Sequence, residues 1–401
     1  MNVAVIGTSR KENERRVAIH PAQVAEIPKK VRRRLFFERG YGMPFGVPDG
    51  ALSDLTGNRP ADRAELLRGA DAVILPKPVE QDLMEVREGA AVWGWVHSVQ
   101  QEEIAQIAID RRLTLVAWEN MFYRGKRDRV HVFQKNNEMA GYCGVQQALE
   151  LRGMDGYFGR PLRAAVLGFG SVSRGAVLAL RGHGVQDITV LTRRPTHLVA
   201  NRIPGLRYRH IRGESRGGFS VESPGGTAVP LVDFLTGMDI AVNGVLQNPE
   251  RPLVFIRNGD VARFRKECLV VDVSCDEKMG FQFARPADFD HPLQRVGNLL
   301  YYSVDHTPSL LWDSASWEIS SALLPYLPDF VLEKPNRVLE DAVDIREGIV
   351  RNKAVLTFQN RSPIYPYPVR KEFPGGWHGA GGSGGAPYAA GAAPATESSA
   401  N

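Results

Sequence analysis

The stretch from Leu162 to Gly175 limits the fold more than any other part of this chain. Leu162-Arg-Ala-Ala-Val-Leu167 is an apolar run of the length of a buried strand. It meets Gly168-Phe-Gly170-Ser-Val-Ser173, after which Gly175-Ala-Val-Leu-Ala-Leu-Arg181 has the character of a helix. Strand, glycine turn and helix start, in that order, are the context in which Gly-x-Gly-x-x-small reads as a dinucleotide-binding fingerprint. Gly168 permits the tight turn. Gly170 lets the backbone approach a pyrophosphate, which rests on the free N–H groups of the helix N-terminus. Ser173 replaces the third glycine and is small enough for close helix–strand packing. Alone the pattern is weak, and the second strand of the unit decides its meaning.

About twenty residues later comes the position that separates the two nicotinamide cofactors. The strand-like run Asp187-Ile-Thr-Val-Leu-Thr192 ends in Arg193-Arg194-Pro195. A unit specific for NAD carries Asp or Glu there for the ribose 2′-hydroxyl, whereas an arginine accommodates a 2′-phosphate. Here Thr192 takes that place and two guanidiniums come next, groups that bind phosphate oxygens through charge-assisted, often bidentate hydrogen bonds. NADP(H) is therefore the expected cofactor, with Arg193 and Arg194 as phosphate ligands. A solvated basic turn is the plainer alternative.

A chain of 401 residues exceeds one ordinary domain, and a second α/β pattern precedes the first. Residues 3–6, 34–38, 72–75, 91–96 and 113–118 read as strands, with helical patterns between them such as 101–111; Pro21 suits the first turn of another helix. Strands alternating with helices argue for a parallel sheet, and ligands bind beyond the carboxyl ends of such strands. Lys77, His97 and Glu119 each fall just past one of those ends. Trp93 and Trp95 alternate along a strand, facing either a pocket or the core. A helix from Asn137 to Leu151 leads into the glycine motif. Strands at 240–243, 269–273 and 300–304 continue the second unit, and a helix over 314–326 returns the chain to the first.

Several function classes are excluded by composition. The formal charge of +5 is scattered in short clusters such as Val31–Arg34 and Arg124–Arg127, which is no nucleic-acid footprint. Cys143, Cys268 and Cys275 lack metal-ligand spacing and are too few for a disulfide framework, so a reducing compartment and no metal are expected. No signal-peptide pattern opens the sequence, and no run approaches the ~18 apolar residues of a membrane span. The expectation is a cytoplasmic protein with no membrane partner. Over 371–401 Gly, Ala, Ser and Pro dominate; such a segment cannot bury enough surface to offset its ordering entropy, and a disordered tail is expected.

Together these motifs resemble a known family. Glu14-Arg-Arg-Val-Ala-Ile19, the Lys77 and His97 loops, Asn137-Glu-Met-Ala-Gly141, the glycine motif and Val271-Asp-Val-Ser-Cys-Asp276 occur in the order seen in the alanine dehydrogenase, saccharopine dehydrogenase and transhydrogenase α-subunit superfamily. Within it, Gly40-Tyr-Gly-Met-Pro-Phe-Gly-Val47, Leu75-Pro-Lys-Pro78, Val92-Trp-Gly-Trp95, His131-Val-Phe-Gln-Lys-Asn-Asn137 and Val304-Asp-His-Thr-Pro308 resemble the carboxyethylornithine synthase branch. The likeness covers roughly residues 1 to 360. It implies an α/β fold of two Rossmann-like domains with parallel sheets. The dinucleotide-binding domain (134–308) is inserted into a discontinuous catalytic domain (1–133 and 309–370). It also implies a homo-oligomer, and an NADPH-dependent reductive condensation of a 2-oxo acid, pyruvate, with the side-chain amine of ornithine or lysine.

The resemblance also implies roles. Arg16 would hold the oxo-acid carboxylate, or else make a structural ion pair. Lys77, between two prolines, would polarise the keto oxygen. His97 would act as general acid and base, since imidazole titrates near neutral pH. Asp276 matches a catalytic aspartate facing the nicotinamide, with helix capping as the alternative. Glu119, Asp305 and His306 are candidate anchors for the amino acid. Asn137, Gly168, Gly170, Ser171, Val172, Arg193, Arg194, Val245, Leu246 and Asp276 match cofactor-contacting positions. Asn137 departs from the alanine dehydrogenase pattern, which has Ser there. Two rival readings stay open: an alanine dehydrogenase-like enzyme using ammonia, and a non-catalytic NADP-sensing protein.

Overall fold

The computed structural model describes residues 1–124, 129–214, 218–223, 225–247, 252–277 and 279–370. The expected tail at 371–401 and most of the Arg124–Arg127 cluster lie outside the described residues.

Val3–Val5, Leu35–Phe37, Ala72–Ile74, Ala91–Gly94 and Thr114–Ala117 are short apolar strands. Val3 and Val5 pack into one core cluster, while Ala4 and Ile6 pack into another. A strand covered on both faces reads as a continuous apolar run, which is why these were visible in the sequence. They pair in parallel, with Val3–Val5 between Leu35–Phe37 and Ala72–Ile74, followed by Ala91–Gly94 and Thr114–Ala117. In sequence order this is 2-1-3-4-5. The order reverses between the first and third strands, and there such a sheet opens a crevice for ligands.

The other large sheet has nine strands. Its parallel centre runs Arg207–Gly213, Asp187–Thr192, Arg163–Leu167, Ile240–Asn243, Cys268–Asp272, Leu299–Tyr302, the dinucleotide-binding order 3-2-1-4-5-6. Antiparallel strands extend both margins. The reversal falls between Arg163–Leu167 and Ile240–Asn243, so the glycine turn and Gly244-Val245-Leu246 flank this crevice. Leaving this sheet, the chain forms the helix Trp312–Leu323 and then the strand Val343–Arg346, which pairs antiparallel with Thr114–Ala117. The nine-stranded unit is thus an insertion between two parts of the seven-stranded one.

Where the sequence suggested a helix at Pro21, a 3-10 turn, Pro21–Glu26, forms instead, its head capped by the His20 side chain. Among the described residues no helix is long and apolar enough to cross a membrane.

One helix, Gln134–Arg152, leads from the first unit into the second and lies against Ser171–Gly182, the helix after the glycine turn. The contact is made by glycines. A β-carbon on Gly141 would stand 1.9 Å from the Val172 carbonyl oxygen, and one on Gly175 would stand 1.7 Å from that of Glu138. Only hydrogen fits at either position.

Candidate functional site

The strand ends of the seven-stranded sheet carry the first group of polar residues. Arg16 is buried, and its guanidinium lies 4.9 Å over the Trp95 ring. Its Nε and Nη2 donate to the Glu14 carboxylate at 2.8 and 2.5 Å, and Nη1 donates to Asn136 Oδ1 at 3.2 Å. Five donors less three leaves one N–H on each of Nη1 and Nη2 for a further acceptor. Burial alone would push the Glu14 carboxyl up, but the Arg16 charge and its hydrogen bonds outweigh this and hold it at about 2. Trp93 is fully buried and stacks on Phe330 at 4.4 Å, so of the two tryptophans Trp95 is the one under the charged group.

Lys77 follows Ala72–Ile74 at the switch point and is nearly buried. His97, beyond Ala91–Gly94, has φ of 47°, a left-handed conformation that costs a residue with a β-carbon and persists where the surroundings enforce it. The enforcing contact is a hydrogen bond from the His97 N–H to Glu119 Oε1 at 2.6 Å. Burial first, then the Lys77 ammonium with help from Lys11 and Arg16, lowers the His97 imidazole to about 3 against the opposing Asp305 carboxylate. At pH 7 the ring is neutral, with a lone pair to accept a proton.

Glu119 keeps its other oxygen, Oε2, buried without a hydrogen-bond partner among the described residues. Burial, reinforced by the Asp344 carboxylate, raises its carboxyl. Asp344 accepts from Ser98 Oγ at 2.5 Å and from the side-chain amides of Asn120 and Asn352, each at 2.8 Å. Burial raises the Asp344 carboxyl too, but its three donors favour the charged form, so of this acidic pair Glu119 holds the proton more firmly.

The second group comes from the end of Leu299–Tyr302. Asp305 Oδ2 accepts from Lys77 Nζ at 2.9 Å, a contact that joins the two sheets, and lies 3.4 Å from Lys11 Nζ. His306 Nδ1 is 2.5 Å from Asp305 Oδ1, and its Nε2 is 2.9 Å from the Glu12 carbonyl. Burial opposes charge on Asp305, but Lys77, His306 and Lys11 prevail and hold its carboxyl far below the usual range. Ser309 Oγ donates to Glu14 Oε1 at 3.0 Å and Thr307 Oγ1 to the Ala140 carbonyl at 2.9 Å. Asp276 keeps part of its surface in solvent, yet desolvation by the surrounding protein, with the Asp305 carboxylate and against the Lys77 ammonium, raises its carboxyl above the usual range.

Whether the residues fit a dinucleotide is decided at the glycine turn. Gly168 has φ of +87° and a β-carbon there would press on Ser173 Oγ and Val245 Cγ2, both at 3.2 Å. Gly170 is the N-cap of Ser171–Gly182, and a β-carbon on it would meet nothing within 4 Å. The turn therefore leaves open space beside Gly170 at the helix N-terminus, which fits a pyrophosphate. Ser173 is fully buried and donates to the Leu167 carbonyl at 3.2 Å. Thr192 Oγ1 accepts the Arg194 N–H at 3.1 Å, shaping a turn that leaves both arginine side chains exposed. The His210 ring backs that turn, its Nε2 3.1 Å from the Arg193 carbonyl. Ser171, Val172 and Val245 are half-buried around the turn, and Leu246 is exposed. Asn137 lies half-buried in the first turn of its helix, whereas Asn136 makes the contact to Arg16.

The structure thus gathers Arg16, Lys77, His97, Glu119, Asp305 and His306 around one junction, and sets Arg193 and Arg194 apart at the far end of the glycine turn. Sequence reasoning missed Glu14, Lys11, Asn136 and Asp344. Glu14 stands beside two arginines at the head of an apolar run, which was a usable signal; Asp344 gave none. Missed too was the buried carboxyl of Asp272, which accepts from Asn243 Nδ2 at 2.9 Å and from the Tyr301 hydroxyl at 2.7 Å. Burial raises it to about 7.

Residues 6–140 match the family described as alanine dehydrogenase/PNT, N-terminal domain, and residues 160–359 match its C-terminal domain. An N(5)-(carboxyethyl)ornithine synthase of Clostridium botulinum is 25% identical over 340 residues, covering 80% of this chain and 92% of that protein. An alanine dehydrogenase of Mycolicibacterium smegmatis is 23% identical over 340 residues, covering 80% and 85%. A solved L-alanine dehydrogenase superposes with a TM-score of 0.67 at 17% identity, over 89% of this chain and 99% of that one. That likeness shows the fold, two Rossmann-like units.

Proposed function

The chain belongs to the alanine dehydrogenase/PNT family, and from that premise we propose that it condenses pyruvate with the side-chain amine of ornithine or lysine and reduces the adduct to an N-(1-carboxyethyl) amino acid. Relatives in this family bear the names of nicotinamide-dependent oxidoreductases acting on amino acids. The observation that carries the reading is the 2.9 Å contact between Lys77 and Asp305. It sets the cationic switch point of one sheet against the strand ends of the other, where an oxo acid can lie between protein cations and a dinucleotide.

Each residue then has work its chemistry suits. The free N–H groups of Arg16 take the oxo-acid carboxylate. Lys77 polarises the keto oxygen. The amine nitrogen attacks the keto carbon, and the oxygen departs as water. Neutral His97 moves the protons of that step, with Asp276 exchanging a proton at the amine. Bound NADPH would supply the hydride. Ammonium, oxo acid, NADPH and one proton give the secondary ammonium product, NADP and water, so atoms and charges balance. Arg193 and Arg194 hold the 2′-phosphate, and Asn137, Gly168, Gly170, Ser171, Val172, Val245 and Leu246 contact the rest of the cofactor. The same proposal divides the chain into a substrate domain (1–133 and 309–370) and a cofactor domain (134–308), in a homo-oligomer.

Incubation with NADPH, pyruvate and either L-ornithine or ammonium chloride tests it, with mass detection of the product. Turnover with ammonia and none with ornithine would overturn the condensation and leave the alanine dehydrogenase-like reading, which the Mycolicibacterium relative supports at similar identity.

A further inference from the structure

Asp305 has more partners than it needs to stay in place. Its Oδ2 meets Lys77 Nζ at 2.9 Å and Lys11 Nζ at 3.4 Å, and its Oδ1 meets His306 Nδ1 at 2.5 Å. His306 is tied from behind through Nε2 to the Glu12 carbonyl at 2.9 Å. Both ring nitrogens thus have oxygen partners, which fix the ring in place. Without Lys77, the Asp305 carboxylate keeps His306 on one oxygen and Lys11 near the other. Lys77 is in the opposite position. Among the described residues its ammonium has one hydrogen-bond partner, Asp305, and while so paired it is drawn away from a keto oxygen.

We infer that Asp305 is the docking group for the ammonium of the amine substrate, and that the arriving ammonium replaces Lys77 on Oδ2 and thereby releases Lys77 to the keto oxygen. This rests on the proposed reading only in taking an oxo acid and an amine as the two substrates. It applies to a side-chain amine and to ammonia alike. The ammonium brings one positive charge and the oxo-acid carboxylate one negative charge, so with both substrates bound the net charge of the cluster is unchanged, and Asp305 keeps a cation on Oδ2 throughout. Its geometry is also productive. The incoming nitrogen occupies the place beside Oδ2 that Nζ leaves, while Nζ moves a short way to the oxygen of the carbon under attack. Nucleophile and activated carbonyl become neighbours in one event, the arrangement from which proximity effects arise. Pyruvate arriving alone meets a lysine already engaged, so each substrate strengthens the binding of the other.

The experiment uses the full-length protein with NADPH and pyruvate, with L-ornithine and ammonium chloride as amines, comparing wild type, Asp305→Asn and Asp305→Glu. Loss of one charge-assisted pair predicts a rise in amine KM of about ten- to a hundredfold for Asp305→Asn. The pyruvate KM falls in the same variant, because Lys77 is already free, and Asp305→Glu recovers part of the amine KM. A merely structural role moves both constants together. An unchanged amine KM, or a joint rise that Asp305→Glu does not relieve, overturns the inference. If wild type turns over ammonia alone, the condensation reading fails and the ammonium KM still decides this one. If it turns over neither amine, calorimetric titration of L-ornithine with pyruvate present replaces the kinetics, and equal or absent binding in wild type and Asp305→Asn overturns the exchange.

Discussion

Replacing Gly175 by alanine tests the idea that the helix after the glycine turn is positioned by a glycine contact. A β-carbon there would stand 1.7 Å from the Glu138 carbonyl oxygen, 2.7 Å from its carbon and 3.0 Å from the Tyr142 nitrogen. All three are backbone atoms, so no side chain can swing away. Ordinary contact begins near 3.4 Å, and the two helices must part by about 1.7 Å. Overpacking of this kind costs about 1–3 kcal/mol, and so large a displacement belongs at the upper end. Alanine returns about 1 kcal/mol through its better helix propensity. The net expectation is a loss of about 2 kcal/mol, with weaker NADPH binding because the helix N-terminus shifts from the turn at Gly168. Gly182→Ala is the control: it lies in the same helix, and its β-carbon would meet nothing within 4 Å. Urea unfolding and a fluorescence titration with NADPH read both effects. If Gly175→Ala matches Gly182→Ala in stability and affinity, the glycine contact does not position the helix and the reasoning is wrong.

Three further outcomes rest on individual residues. Glu14→Gln leaves Arg16 buried without its counter-charge and is expected to cost about 3–5 kcal/mol at pH 7. Because the folded Glu14 carboxyl sits at about 2, below its ordinary 4.5, that advantage of the wild type fades as pH falls through this interval, which denaturation at successive pH values will show. Asp272 behaves the other way: held at about 7 against an ordinary 3.8, it keeps a proton that the unfolded chain releases, and so destabilises the fold as pH rises from about 4 to about 7. Asp272→Asn should gain on the wild type over that range by no more than about 1.4 kcal/mol per pH unit, and a flat difference would show that Asp272 is ionised in the fold. Arg193→Asp should lower the ratio of kcat/KM for NADPH to that for NADH about tenfold or more; an unchanged ratio would assign the turn to solvent.

How much of the fold the sequence revealed depends on burial. Strands covered on both faces, such as Val3–Val5 and Cys268–Asp272, appear as apolar runs, and their ends were off by a residue or two. Arg207–Gly213 escaped notice because Ile211 alone among its side chains is buried, so it has no apolar signature. Val343–Arg346 escaped for a different reason. It becomes a strand by pairing with Thr114–Ala117, more than two hundred residues earlier, and nothing local announces that partner. At the site, Lys77, His97 and Glu119 were legible because strand ends are legible. Their long-range partners were not, since the Lys77 contact to Asp305 and the Asp344 contacts to Ser98 and Asn120 depend on how distant segments come together.

The helix Gln134–Arg152 explains why those partners fall into place. Asn136, in its first turn, holds Nη1 of Arg16. One turn further along, the Ala140 carbonyl receives the Thr307 hydroxyl, two residues beyond Asp305, and Gly141 abuts the Val172 carbonyl. Within six residues one helix therefore touches Arg16, the loop carrying Asp305 and the helix that follows the glycine turn. Positions set by one regular helix vary far less than positions set by three loops. The composition of this helix reflects that duty: its hydrophobic signal is diluted by Asn136, which holds Arg16, and by Gly141, where a β-carbon would strike the Val172 carbonyl. Gly144, one turn on, is different: a β-carbon there would meet Val273, Thr307 and Tyr302 at 3.5–3.7 Å, ordinary contact distances, so the tight approach is confined to Gly141 and its partner Gly175. The helix that leads into the glycine motif is thus the part that fixes the distance between Arg16 and the glycine turn.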